Sequence, residues 1–406
     1  MTLHGAGSSG PPQKYELDTD LPAEWMAELK HLAEFTANDA AYDEGCIFNS
    51  ICTQPHPLAM HVMRNHLHIN RGDGRLFPSI ARCERMITRI LGRLMELPKA
   101  VGMCTSGATE ANLLAVHSAV KQWRAKGGVG RPHVVMGRGA HFSFDKIVDL
   151  LDIELVLAPS DLSTLKVNPD RVAELIGPQT SLIVATAGSS ETGAVDDVER
   201  LAEIARATDL PLHVDAASGG LLIPFLRELG CSLPIISFKI PGVTSMAIDP
   251  HKFGAAPIPA GHLLGRESRW VDGLSIASHY HGTATHSTLL GTSPGASILA
   301  TYCLLRHQDH AGLRRDAERL LQLREFFVNG LRANGMTLAY QPELMVVGIA
   351  VSTREPIQIL EDMGMYVSYA WRLGQLRVVI QLHQSEQDLE SLVDCIAQTK
   401  EKSYAF

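Results

Sequence analysis

The chain has 406 residues, 45% of them hydrophobic and 20% charged, which is the balance of an ordinary folded protein and enough for one large core with a smaller one attached. A formal net charge of -8 and the lack of any dense Lys/Arg run exclude a nucleic-acid footprint, and no apolar stretch is long enough to span a bilayer. Seven scattered cysteines, never spaced Cys-x-x-Cys, read as reduced thiols, and without a secretory signal the expected location is the cytoplasm.

Residues up to about Leu17 are rich in Gly, Ser and Pro and read as a tail. Gly5-Ala6-Gly7-Ser8-Ser9-Gly10 spells a dinucleotide fingerprint, but no strand precedes it and no amphipathic helix follows, so its glycines have no strand-to-helix turn to build. From Leu21 a proline in the first turn opens a helix reaching about Phe35, which makes residues 1–48 a tail and helical arm. A longer helix is predicted over Pro78–Leu97. Short apolar runs at Ala100–Cys104, His133–Met136, Ile153–Ala158, Ser181–Ala187 and Leu212–Asp215 then alternate with helical patterns from about Thr109, over Ser143–Leu151 and over Val198–Thr208. That alternation predicts an α/β protein with a parallel sheet covered on both faces by helices. Strands at Met246–Ile248 and His262–Leu264 and a long helical region over Gly295–Ala333 follow. Strands at Met345–Val351, Val367–Ala370 and Leu376–Ile380, with helices at Ile357–Met363 and Glu386–Thr399, close the chain. The expected division is a large domain over 49–309 and a small C-terminal α/β domain over 310–406.

The chemistry concentrates at strand ends. In Ile248-Asp249-Pro250-His251-Lys252-Phe253-Gly254, a lysine directly after an apolar strand can be withdrawn from water, which disfavours its ammonium and frees the amine to attack an aldehyde. In Leu212-His213-Val214-Asp215-Ala216-Ala217-Ser218-Gly219-Gly220, a carboxylate at a strand's end can pair with a ring nitrogen and keep it protonated. Alone, such a lysine is more often a surface turn residue and such an aspartate a helix cap; together they point to one cofactor. Thr105-Ser106-Gly107-Ala108-Thr109-Glu110-Ala111-Asn112 is a small-residue turn opening a helix, whose amides and the Ser106 and Thr109 hydroxyls suit a phosphate or a plain cap equally. His141 lies where an imidazole can stack on a flat ring, and Ser189 where a hydroxyl can bond the ring's phenolic oxygen.

In these motifs the chain resembles the group II pyridoxal-dependent decarboxylases, and within them the short archaeal-type L-tyrosine/L-aspartate decarboxylases, relatives of sphingosine-1-phosphate lyase. The resemblance rests on HVDAASGG at His213–Gly220, IDPHKFG at Ile248–Gly254, TSGATEAN at Thr105–Asn112, GSSETGAVDD at Gly188–Asp197 and NRGDGRLFPS at Asn70–Ser79, in that family's order. It implies the fold-type I PLP-dependent transferase fold, with a mostly parallel seven-stranded sheet in the large domain and a small C-terminal α/β domain. It further implies pyridoxal 5′-phosphate as cofactor and a homodimer with shared active sites. Lys252 is then the Schiff-base lysine, Asp215 the partner of the pyridinium, and His141 the stacking residue. Gly107, Ala108 and Thr109 take the phosphate with His251 beside it, Ala217 lies against the cofactor, and Gly291 and Thr292 are lent to a neighbouring subunit. Where the family usually has arginine after Gly-Thr this chain has Ser293, which removes a fixed cation near the site.

The reaction expected from the resemblance is removal of the α-carboxylate of a small L-amino acid, aspartate or an aromatic one, through an external aldimine and a quinonoid. Tyr280, in the histidine-rich Ser278-His279-Tyr280-His281-Gly282, and Lys252 are the candidate proton donors; Arg377 and Asn70 are the candidate substrate contacts. No metal is expected: near His279, His281 and His286 no cysteine or carboxylate completes a ligand set. The competing readings are a carbon–carbon lyase acting on a phosphorylated amine and a catalytically silent cofactor-binding homologue.

Overall fold

The structure, a computed structural model, describes residues 21–279 and 285–402. The expected tail, the fingerprint-like glycines, Tyr280 and His281 lie outside the described residues. The helices are α1 (Ala23–Thr36), α2 (Pro57–Asn65), α3 (Pro78–Leu94), α4 (Ala108–Ala125), α5 (Ser143–Leu151), α6 (Pro169–Glu174), α7 (Val198–Ala207), α8 (Ile223–Glu228), α9 (Arg269–Asp272), α10 (Gly295–Ala333), α11 (Glu355–Asp362) and α12 (Glu386–Lys402). The strands are β1 (Val101–Thr105), β2 (His133–Gly137), β3 (Glu154–Ala158), β4 (Thr180–Thr186), β5 (Leu212–Asp215), β6 (Val243–Ile248), β7 (Gly261–Gly265), β8 (Ile276–Ala277), β9 (Thr285–His286), β10 (Val346–Ala350), β11 (Ser368–Ala370) and β12 (Gln375–Val379).

Seven strands form the main sheet in the order β1-β7-β6-β5-β4-β2-β3. All are parallel except β7, which runs antiparallel to both β1 and β6. Every residue of β4 is buried, the run expected of a central strand covered on both faces. In α3, Pro78 takes the first helical position and Ile80, Cys83, Ile87 and Leu91 present one buried stripe at helical spacing. The helix stops three residues short of the predicted Leu97, because Glu96 turns to φ 56° and Leu97 precedes a proline.

The second sheet, β10-β12-β11, is antiparallel and carries α11 and α12. Residues near the start of the described chain join it: Phe48 donates to the Tyr366 carbonyl, Tyr366 to Cys46, and Val379 to Phe48. One long helix connects the sheets. Within α10, Asp309 leaves helical geometry at φ 47° and its Oδ1 accepts the amides of Ala311 and Gly312, capping the second half as it begins. The four parallel strands β2, β4, β5 and β6 deliver their carboxyl ends to one edge, where ligands of open α/β sheets bind. No helix among the described residues is long and apolar enough to cross a membrane.

Candidate active site

At that edge lies a cavity of about 300 Å³ lined by Gly107, Ala108, Thr109, His141, Ser190, Asp215, Ala217, Ser218, Asp249, His251 and Lys252. Residues from five separate strand ends thus meet in one space. Lys252, whose side chain is 13% exposed, holds its Nζ 3.3 Å from Asp249 Oδ2, and His251 Nε2 is 3.6 Å from the same oxygen. Burial lowers the pKa of His251, with Asp249 opposing the shift, so its imidazole favours the neutral form.

Asp215 faces Lys252 from the end of β5. Its Oδ1 accepts the Ala217 amide at 3.2 Å and its Oδ2 accepts Nδ2 of Asn112 at 2.9 Å. Each carboxylate oxygen thus accepts one hydrogen bond and is held in place by it. His141 sits in the turn before α5 and its Nδ1 accepts the Ser143 amide at 3.2 Å, which leaves the ring proton on Nε2. Burial lowers the His141 pKa against the opposing pull of Asp215.

The turn after β1 forms the other wall. The amides of Ala108 and Thr109, in the first turn of the 18-residue α4, make no hydrogen bond among the described residues, so two donors point outward with the positive end of a helix dipole. Gly261 presses against this turn: a Cβ there would lie 2.4 Å from Gly107 Cα, so only glycine fits. A Cβ on Gly107 would lie 3.4 Å from His251 Cε1, which places that imidazole beside the same donors.

Ser106 also lines the cavity, with its amide donating to Glu110 Oε2 at 2.6 Å. Other expected site residues fall elsewhere. Ser189 does not line the cavity; its hydroxyl donates to the Gly139 carbonyl at 3.1 Å, and Ser190 faces the cavity instead. The side chains after β4 turn by one residue relative to the sequence reading because the Gly188 backbone swings to φ 101°. Gly291 and Thr292 are exposed and do not line this chain's cavity, and Asn70 bridges to Pro294 while its Oδ1 accepts the Gly72 amide. Arg377 donates from Nε to the Ser190 carbonyl at 2.6 Å and from Nη1 to Asn49 O and Ser368 Oγ, so it abuts the cavity through Ser190.

Two residues that matter were missed. Asn112 stands in the quoted turn motif and Asp249 in the lysine motif, but neither was assigned a task; a buried amide or carboxylate inside an apolar run is the signal each offered.

A flat heteroaromatic aldehyde bearing a phosphate fits these side chains. The orphan amides of Ala108 and Thr109 would hold the phosphate, the Asp215 carboxylate would pair with a ring nitrogen, and the Lys252 amine would bond the aldehyde. Ser218 Oγ and Asp249 Oδ1, buried without a partner, leave polar capacity on the same wall. Fold and site define a pyridoxal 5′-phosphate enzyme.

Comparison with known proteins narrows that class. The chain belongs to the pyridoxal-dependent decarboxylase family, whose conserved domain matches residues 47–348. It is 38% identical over 355 residues to a probable L-tyrosine/L-aspartate decarboxylase of Methanothermobacter thermautotrophicus, covering 87% of this chain and 96% of that one. It is 35% identical over 383 residues to an L-aspartate/L-glutamate decarboxylase of Pyrococcus horikoshii, covering 92% and 96%. Among solved structures, the fold matches Lactobacillus brevis glutamate decarboxylase at a TM-score of 0.84 with 21% identity, covering 96% of this chain and 95% of that one. It matches Burkholderia pseudomallei sphingosine-1-phosphate lyase at 0.80 with 22% identity, covering 99% and 95%.

Proposed function

We propose that this protein removes the α-carboxylate of L-aspartate, with L-tyrosine the next substrate to test. The observation that carries the reading is the meeting of Lys252 and Asp215 in one cavity. Aspartate stands in the printed names of both archaeal relatives at 35–38% identity, which supports it as the first candidate.

In this reading Lys252 Nζ makes the covalent attachment, and Asp249, 3.3 Å away, takes up or returns its proton. Asp215 holds a proton on the ring nitrogen, His141 covers the ring face, and the Ala108 and Thr109 amides with His251 hold the phosphate. Bound there, pyridoxal phosphate supplies an electron sink for the pair released when the bond to the carboxylate breaks. Arg377 steadies the Ser190 edge and orients the substrate carboxylate; the free Lys252 amine, or Tyr280, returns a proton to the α-carbon.

The protein works in the cytoplasm as a homodimer, with Gly291 and Thr292 reaching the neighbour's phosphate. Exposed apolar side chains at Leu289, Leu290 and Ile258, and at Trp25 and Phe35 on α1, support a protein surface over this region. The test is carbon dioxide release from a panel of amino acids by purified, cofactor-loaded protein. Release from L-aspartate is expected; none from any amino acid, with cleavage of a phosphorylated amine to an aldehyde, would replace this reading by the lyase.

A further inference from the structure

His213 and Asp215 are two residues apart on β5 and so project to the same face, the one covered by α4. Asn112 of α4 sits between them. Its Nδ2 donates to Asp215 Oδ2 at 2.9 Å, while its Oδ1 lies 2.9 Å from His213 Nε2. On the far side, His213 Nδ1 lies 2.8 Å from Ser245 Oγ, its cross-strand neighbour on β6. Asn112 and His213 are 0% exposed and Ser245 1%, so no water competes for these bonds.

The order of protons follows from the carboxylate. An ionised Asp215 only accepts, so the Asn112 amide nitrogen faces it and the amide oxygen faces His213. His213 Nε2 must then carry the hydrogen, and Nδ1 accepts from the Ser245 hydroxyl. A proton on Asp215 Oδ2 would demand the reverse at every link: a flipped amide, hydrogen on Nδ1, and a turned hydroxyl. The other oxygen, Oδ1, accepts the Ala217 amide.

We infer that Ser245, His213 and Asn112 form a one-way hydrogen-bond chain that positions Asp215 with Oδ2 as its accepting end, making His213 and Asn112 positioning residues for the reaction. The inference rests on the reading that Asp215 faces the ring nitrogen. Asn112 also serves His141. Its Nδ2 lies 3.5 Å from Ser143 Oγ, and the Ser143 amide donates to His141 Nδ1, so one buried amide orients the groups on two sides of the ring.

Two measurements test the chain. In the cofactor-free protein, nitrogen NMR of labelled histidine should report His213 with hydrogen on Nε2 across about pH 5 to 8; hydrogen on Nδ1 reverses the chain and overturns the inference. In the loaded enzyme, His213→Leu should shift the pH titration of the visible absorbance and lower kcat roughly 10- to 100-fold with KM within about twofold, the scale seen when a partner behind a ligand is removed. His213→Gln keeps a donor toward Asn112 and should restore both the titration and kcat to within about threefold; it also serves if the leucine variant fails to fold. A His213→Gln enzyme as impaired as any folded disrupted variant would overturn the inference. Asp215→Ala is the reference. No shift of the titration there would overturn the assignment of Asp215 itself, whereas a shift there with none in His213→Leu would overturn the chain alone.

Discussion

The floor of the cavity and the exposed turn of the small sheet are built from different physics. Beneath the cavity, Asp215, Asn112, His213 and Ser245 are buried and bonded side chain to side chain at 2.8–2.9 Å. On the small sheet, Arg372 is exposed and donates to the Arg138 carbonyl, and Arg354 lies over the rings of Tyr369 and Trp371, the latter 66% exposed. Contacts of the first kind are hard to move and leave an unpaired group when broken; those of the second are wet, screened and individually weak. Substitutions beneath the cavity are therefore expected to cost far more than substitutions among the exposed side chains of the small sheet.

The sharpest way to break this contrast is Lys252→Ala, which should abolish both turnover and the visible absorbance of the loaded enzyme; retained turnover would end the assignment. Asp215→Ala should cost roughly 10- to 100-fold in kcat, the scale of a lost hydrogen bond to a charged group. Gly261→Ala, which puts a methyl 2.4 Å from Gly107 Cα, should destabilise the fold by about 1–3 kcal/mol in urea titration and weaken cofactor binding. Beside the cavity, the half-buried Arg377→Lys loses the fixed fork to Ser190 and Asn49 and should raise KM for L-aspartate about tenfold with a smaller change in kcat.

A pH series sharpens the same comparison. Burial lowers the pKa of His213 to about 4 and of His262 to about 3, so both are neutral when folded and take up protons on unfolding in acid. Their contribution is present above the ordinary histidine value and is lost as pH falls through the folded values. Asp196, raised to about 6 by burial, acts in the opposite sense, its contribution fading as pH rises through that value. Taken alone, these three groups give a net uptake near one proton on unfolding around pH 5, roughly 1.4 kcal/mol lost per unit of acidification, and the lowered His141, His251 and His383 act in the same sense. Urea midpoints from pH 7 to about 4 check the sign. At the other extreme, Lys126→Ala breaks an ion pair exposed at both ends and should change stability by less than about 0.5 kcal/mol.

The alternation of apolar runs with helical patterns gave away the layered sheet, because β2 and β4 have continuous apolar centres, Val134–Met136 and Leu182–Ala185, that suit a strand covered on both faces. The reversal of β7 was not legible: a strand buried on both faces reads alike in either direction. Helix α2 was missed because nine residues are too few to stand out as a helix by themselves, and it is held by packing on α10. At the site, Lys252 and Asp215 stood out by chemistry. That Ser190 and not Ser189 lines the cavity was not legible, because a glycine's backbone swing after β4 cannot be read from letters. Asn112 went unassigned because its partners lie 101 and 103 residues away, and only folding reveals that they share a face.

The joint at Asp309 bears on how the molecule comes apart. Helix α10 packs on α2, α3 and α8 with the main sheet and on α12 with the small one, and passes from one to the other through a single bent residue rather than a linker. With no slack segment to let one half melt while the other persists, heating should give one calorimetric transition in which both sheets are lost together.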